Sequence, residues 1–338
     1  MHERQMTLPI PESPLLRVQD LAVEFTVGGR RARAVDRLSY ELRPGEVLGM
    51  VGESGCGKSV SALALMRLVP EPGQIAGGEV WFDGRNLLSL PEREMRPLRG
   101  GQIAMIFQDP LSALNPVLTV GFQVMEAIAL HQRVPRKVAW ERAVEMLRRV
   151  HLPDAEHRAR FYPHQLSGGQ RQRVMIAIAF SCSPRLVIAD EPTTALDVTV
   201  QQQVLELMLE LRQEFGTAIL LITHDLGVVA QTCDRVLVMY AGRAVEVGSV
   251  RAIFHTPRHP YTAALLRSLP RLEGKRSDRL ALIPGQPPDI FTLPTGCPFH
   301  PRCPLADDRC AAEMPPWTDF SSAHGSRCWH AGDVTLAK

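Results

Sequence analysis

Residues 47–59, VLGMVGESGCGKS, run from five apolar residues into a glycine-rich loop and on into a helical pattern. No other stretch constrains the fold so tightly. An apolar run bounded by turn residues reads as a strand buried on both faces, which belongs in a parallel sheet. The loop GESGCGKS fits G-x-x-x-x-G-K-[ST] at Gly52, Gly57, Lys58 and Ser59. Glycines there let successive backbone N–H groups point inward at phosphate oxygens, and the following helix adds its positive dipole end. Glu53, Ser54, Gly55 and Cys56 complete the cradle. Lys58 would reach the β- and γ-phosphates, and Ser59 would ligate Mg²⁺. Lysine is scarce in this chain, 4 residues against 34 arginines, so its presence in the loop stands out.

The rest of the chain continues the alternation. Strand patterns occupy 16–27, 31–42, 79–83, 102–107, 186–189, 218–223 and 235–240. Helical patterns occupy 58–69, 119–150 with an interruption at Pro135, 168–182 and 200–214. Gly73 to Gly78 reads as a break between a helix and a strand. Apolar strands alternating with helices predict an α/β fold with helices on both faces of a largely parallel sheet. The 338 residues suggest roughly two domains. Composition shifts after about residue 250: HTPRHPYTAALLRSLP at 255–270 carries one short helix, and prolines and cysteines dominate from Pro284. The expected division is therefore 1–250 and 251–338.

The net charge of +2 argues against a dedicated nucleic-acid binder, which carries a basic face. No apolar run reaches 18 residues, so no spanning helix is expected. Met1 to Leu21 lacks an apolar core of the kind a signal peptide has. The chain is expected to stay in the cytosol, with its seven cysteines reduced or bound to metal.

Two further motifs carry charge chemistry. In LVIADE, 186–191, a buried strand ends in two acids. That is costly unless a cation sits nearby. With a phosphate loop on the same sheet, Asp190 is expected to hold Mg²⁺ and Glu191 to orient and polarise an attacking water. LSGGQ comprises Leu166, Ser167, Gly168, Gly169 and Gln170 and precedes a helical run. Its exposed N–H groups make a second anion site. Taken alone it is equally a plain Ser N-cap with a glycine pair.

Together these motifs resemble the ATP-binding subunit of an ABC transporter over about residues 15–250, in that family's order. The resemblance implies a P-loop ATPase core: a RecA-like sheet, an antiparallel β subdomain and a helical subdomain at about 109–185, with a small C-terminal extension. It implies that Gln108, in IFQDP, is the glutamine that touches Mg²⁺ and faces the membrane subunits. Asp197, in TALD at 194–197, would be the acid of the loop that crosses to a partner ATPase. His224, in THD at 223–225, would contact the γ-phosphate, and Phe25 would stack on adenine, although a core strand Phe fits that position too. Two such ATPases would close head-to-tail around two ATP, the LSGGQ of each facing the phosphate loop of the other. Gln108, Glu191 and His224 are all present, so the site is expected to hydrolyse ATP.

IFQDPLSALNP at 106–116, His259-Pro260-Tyr261 and LLRSLP resemble the oligopeptide/dipeptide/nickel importer group. That resemblance implies import of di- or oligopeptides, with a nickel or other solute importer as the alternative. It also implies two transmembrane permease subunits, an extracytoplasmic substrate-binding protein, and a second similar ATPase or a second copy of this chain. The chain would sit peripherally on the cytoplasmic face of the membrane, with no nucleic-acid partner. A soluble ABC ATPase of repair or translation fits less well, because the chain has one set of motifs and no sustained heptads. Cys297, Cys303, Cys310 and Cys328 are spaced C-x5-C-x6-C-x17-C. The group's dipeptide-type members can carry a [4Fe–4S] cluster there, and four cysteines are the right ligand set. His300, His324 and His330 keep a Cys/His zinc site open.

Overall fold

The computed structural model describes residues 13–194, 196–268 and 283–335. Part of the Met1–Leu21 segment, Ala195 of TALD and the last two residues of LLRSLP lie outside the described residues. Strands β1 (Leu16–Val27) and β2 (Arg30–Leu42) form an antiparallel pair, and β3 (Val47–Val51) leads into the glycine loop. Strands β4 (Gly73–Phe82) and β5 (Arg85–Asn86) complete a four-stranded antiparallel sheet in the order β2-β1-β4-β5. The segment Gly73–Gly78, expected to be a break, is instead the first half of β4. Glycine is needed there for closeness: a Cβ on Gly73 would lie 2.6 Å from Phe25 Cε1 on the neighbouring strand.

The second sheet has eight strands. Its parallel part is β6 (Ile103–Ile106), β7 (Leu186–Asp190), β8 (Ala218–Ile222), β3 and β9 (Arg235–Tyr240). Strands β3, β7 and β8 are buried at every residue, as their continuous apolar composition predicts. Alternate side chains serve two cores. Leu186 and Ile188 of β7, with Leu220 and Ile222 of β8, pack toward the antiparallel sheet and the helix Lys58–Leu65. Val187, Ala189, Ile219 and Leu221 face the helices Val120–Gln132, Arg136–Arg149, Gly168–Phe180 and Val198–Phe215. The interruption expected at Pro135 is real: Arg133 closes one helix in the left-handed region, and Pro135 caps the next. Among the described residues no helix is long and apolar enough to cross a membrane.

The sheet does not stop at residue 250. Strand β10 (Arg243–Ser249) runs antiparallel to β9, and the hairpin of β11 (Thr318–Ser321) and β12 (His324–Ser326) adds onto β10. Glu246 of β10 is completely buried. Its carboxylate accepts from the backbone N–H groups of Arg258 and His259 at 2.6 and 3.0 Å and contacts His324 Nε2 at 2.8 Å. One strand residue thus ties down three points of the extension. A third core joins Val238 and Tyr240 of β9 to Tyr261 and Phe299 of the extension. Their three aromatic rings have centroids 4.6, 5.2 and 5.3 Å apart. Burying three such side chains supplies several kcal/mol, on the order of 2 per ring.

His259 caps the helix Pro260–Arg267, its Nδ1 accepting the Tyr261 N–H at 3.1 Å. Complete burial pushes its imidazole down to about 3, so the folded ring stays neutral. An unfolded histidine takes up its proton near pH 6.5. The ring's contribution is therefore complete above that pH and declines as pH falls from about 6.5 toward 3. At pH 5 the loss amounts to about 2 kcal/mol. His259→Asn keeps a capping acceptor and removes the titration. Thermal or urea unfolding at pH 7 and pH 5 is expected to show a smaller acid loss in the variant, by about that amount. Equal losses in both proteins would deny His259 this role.

Candidate functional site

The loop after β3 turns back on itself around Lys58. Lys58 is 5% exposed, and its ammonium donates to the carbonyl oxygens of Gly52 at 2.7 Å and Glu53 at 3.0 Å. Gly57 caps the Lys58–Leu65 helix with φ +102°, and a Cβ there would collide with the Ala34 carbonyl oxygen. Only glycine satisfies both conditions. Ser59 Oγ donates to Asp190 Oδ1 at 2.9 Å, joining the loop to the end of β7. Asp190 is buried, and burial pushes its carboxyl above the ordinary range, with the Ser59 hydroxyl partly offsetting this. A hydroxyl and a desolvated acid in contact form an oxygen donor pair that a hard cation would suit.

Glu191 follows on a backbone with φ +45°, a strained position for a non-glycine residue. Its N–H donates to the Ile222 carbonyl at 2.9 Å, which fixes it to β8. Its carboxylate accepts from Thr194 Oγ1 at 2.9 Å and from Gln108 Nε2 at 3.3 Å, and it lies 3.3 Å from His224 Nδ1. Gln108, Glu191 and His224 line an open cleft of about 760 Å³ together with Ser54, Gly55, Gly57, Lys58 and Ser59. Phe25 is there too, half-buried on β1 with one edge over Gly73.

The structure separates residues that the sequence grouped. The side chains of Glu53 and Cys56 do not line the cleft. Cys56 is buried, which pushes its thiol up and leaves it as packing beneath Lys58. Glu53 turns toward the extension, where Arg302 pairs with it. The LSGGQ residues are also absent from the cleft lining. Leu166 is buried, while Ser167 caps the Gly168–Phe180 helix and forms a capping box with Gln170. Ser167 and Gly168 face outward. Asp197 caps the Val198–Phe215 helix, accepting the Val200 N–H at 2.9 Å, and is exposed.

Sequence reasoning did not foresee Ile290 and Phe291, which close the cleft near Phe25 from the extension. Arg30 Nη2 donates to the Phe291 carbonyl at 3.2 Å, and its guanidinium lies 5.3 Å above that ring. The only local signal was a pair of apolar residues in a Pro-rich stretch.

The four late cysteines line one small pocket with His259, His300 and His330. His324 is not in it, being held on β12 by Glu246. Burial holds all four thiols above their ordinary value, Cys297 at about 11 and Cys328 at about 12. The free space between them is about 10 Å³, roughly one water-sized probe. Among the described residues, the group with ligand atoms within 4.8 Å of one another is Asp307, Cys310 and His330.

Comparison with known proteins agrees with this geometry. The ABC transporter family model matches residues 35–194, and the model for the oligopeptide/dipeptide transporter C-terminal region matches 245–310. A probable peptide ABC transporter ATP-binding protein of Sinorhizobium fredii is 52% identical over 95% of this chain and 96% of its own length. The dipeptide transport ATP-binding protein of Escherichia coli is 51% identical over 95% of this chain and 99% of its own. The oligopeptide transport ATP-binding protein of Salmonella typhimurium is 51% identical over 97% of each. Among solved structures, a dimeric ATP-binding cassette bound to ADP and Pi superimposes with a TM-score of 0.63 at 27% identity, covering 70% of this chain and 99% of that one. The chain belongs to the ATP-hydrolysing ABC transporter ATPase family, in the group that carries the oligopeptide/dipeptide transporter C-terminal region.

Proposed function

We propose that this chain hydrolyses ATP to power import of di- or oligopeptides through a membrane ABC transporter. The observation that carries the reading is the meeting of Lys58, Ser59, Glu191, Gln108 and His224 at one cleft, with Asp190 accepting from Ser59 Oγ at 2.9 Å. Backbone N–H groups of residues 52–59 hold the phosphates, and Lys58 exchanges loop carbonyls for β- and γ-phosphate oxygens. Ser59, Asp190 and Gln108 would hold Mg²⁺, whose charge neutralises the phosphates when it is bound. Glu191 accepts a proton from the attacking water as its oxygen bonds to the γ-phosphorus and the bond to ADP breaks. His224, 3.3 Å from Glu191, would contact the γ-phosphate, and Phe25 would stack on the base.

Ser167 and Gly168 point away from their own cleft, which suits a signature that completes the site of a second ATPase. Asp197, the acid of the crossing loop, is exposed as well. The partner is a similar ATPase or a second copy. Phe107, Leu111 and Val117 are exposed apolar residues flanking Gln108, a surface suited to a helix of a permease. The relatives named for dipeptide and oligopeptide transport support the substrate class. Two permeases, an extracytoplasmic binding protein and a place on the cytoplasmic membrane face complete the reading. We divide the chain into an ATPase domain, 1–250, with its helical part at about 109–185, and an extension, 251–338.

Mild-detergent pull-down of the tagged chain from its native membranes, followed by mass spectrometry, tests this. Recovery of two permeases and a similar ATPase is the expected result. Recovery of soluble partners alone would remove transport and leave the ATPase.

We propose that Cys297, Cys303, Cys310 and Cys328 hold an iron–sulfur cluster, with zinc as the alternative. A tetrahedral Zn–Cys₄ site needs sulfurs about 3.8 Å apart, given Zn–S bonds of about 2.3 Å. No four cysteine sulfurs lie within 4.8 Å of one another among the described residues. Four thiols nevertheless line one pocket, and four cysteines are the ligand set of a cluster. Protein purified without oxygen is expected to be brown and to absorb near 400 nm, a rough position for cysteine-ligated clusters. Colourless protein with one zinc per chain would overturn the cluster.

A further inference from the structure

Glu53 has three polar handles, and each is taken. Its carbonyl accepts from Lys58 Nζ at 3.0 Å. Its N–H donates to the hydroxyl of Tyr261 at 2.8 Å. Its carboxylate receives a bidentate pair from Arg302, Nη1 to Oε2 at 2.7 Å and Nη2 to Oε1 at 2.9 Å. Two of the three partners come from the extension, more than 200 residues away in sequence. Both are themselves immobilised. Tyr261 is fully buried in the aromatic cluster. The Arg302 side chain is 5% exposed, with Nε donating to the Pro284 carbonyl at 2.8 Å and Nη1 to Tyr240 Oη at 3.2 Å.

A bidentate guanidinium–carboxylate pair, nearly out of solvent, fixes angle as well as distance. Together with the Tyr261 hydroxyl on the Glu53 N–H, it anchors the residue whose carbonyl accepts from Lys58. Nothing within the loop itself requires a charged side chain at 53, since that side chain does not reach the cleft.

We propose that Arg302 and Tyr261 are positioning residues for the phosphate loop, acting through Glu53 to set the affinity for ATP. The proposal rests on the ATP reading of the cleft. The extension is then a structural part of the nucleotide site rather than an appendage to it.

The test is MgATP binding by calorimetry on the full-length chain, with steady-state hydrolysis alongside. Arg302→Gln and Glu53→Gln are each expected to raise Kd and KM about tenfold with kcat within about twofold, the pattern of lost ground-state binding. The double variant is expected to be no worse than either single one, because both remove one interaction. Arg302→Lys should recover part of the affinity but not all, lacking the fork. Tyr261→Phe, which deletes one oxygen from an otherwise intact core, should weaken binding severalfold. If Arg302→Gln does not fold, Glu53→Gln and Tyr261→Phe decide. Wild-type affinity in those two variants would overturn the proposal, as would additive losses in the double variant. Wild-type protein that binds no ATP would overturn the nucleotide reading and this proposal with it.

Discussion

Glu191→Gln is expected to lower steady-state ATP hydrolysis at least a hundredfold while ATP binding persists. The substitution is nearly isosteric. It keeps an oxygen to accept from Thr194 Oγ1 and Gln108 Nε2, now 2.9 and 3.3 Å away, and loses only the ability to take a proton. The strained backbone at Glu191, φ +45°, is held by the Ile222 carbonyl rather than by the side chain, so the amide should occupy the same place. Binding depends on the phosphate loop, which Glu191 does not touch. Calorimetric titration with MgATP and a phosphate-release assay on the same preparation separate the two effects. Turnover within a few-fold of wild type would take proton abstraction away from Glu191.

Lys58→Ala should instead weaken affinity, raising the Kd for MgATP by on the order of a hundredfold. Among the described residues Lys58 is the one lysine or arginine lining the cleft, at 5% exposure. Its bonds to the Gly52 and Glu53 carbonyls show where the ammonium sits before phosphate competes for it. Two charge-assisted hydrogen bonds at about 1.5 kcal/mol each account for that factor. Alanine also leaves two loop carbonyls without a donor, so the melting temperature of the free protein should fall slightly. A normal Kd in a protein that melts like wild type would show that the phosphates lie elsewhere. The two variants thus fail in opposite columns, one in turnover and one in binding.

Much of the site was legible because its chemistry is local. The contact from Lys58 to the Glu53 carbonyl spans five residues, and the Ser167–Gln170 capping box spans three. Buried parallel strands also announce themselves, since β3, β7 and β8 need apolar residues on both faces. Where strands were missed or trimmed, the reason is visible. Strand β11, TDFS, is exposed at every residue, so it has no alternation to read. In β4 the glycines that look like breakers are there to let Phe25 and the neighbouring strand approach. Strand β10 lies between β9 and β12 and carries Glu246, a fully buried acid that sequence alone would place at the surface.

The sequence by itself determined the phosphate loop, the acids that end β7, the α/β class and the family, because each depends on residue types at fixed short spacing. Only the tertiary structure decided which face each residue shows. It turned Glu53 and Cys56 out of the cleft, brought Ile290 and Phe291 into it, and joined the extension to the sheet across residue 250. It also set Arg302 against a loop 249 residues earlier. Pairings of that range are fixed by the global path of the backbone and by the burial of Tyr240, Tyr261 and Phe299 between the two parts, and no local pattern of residues encodes them.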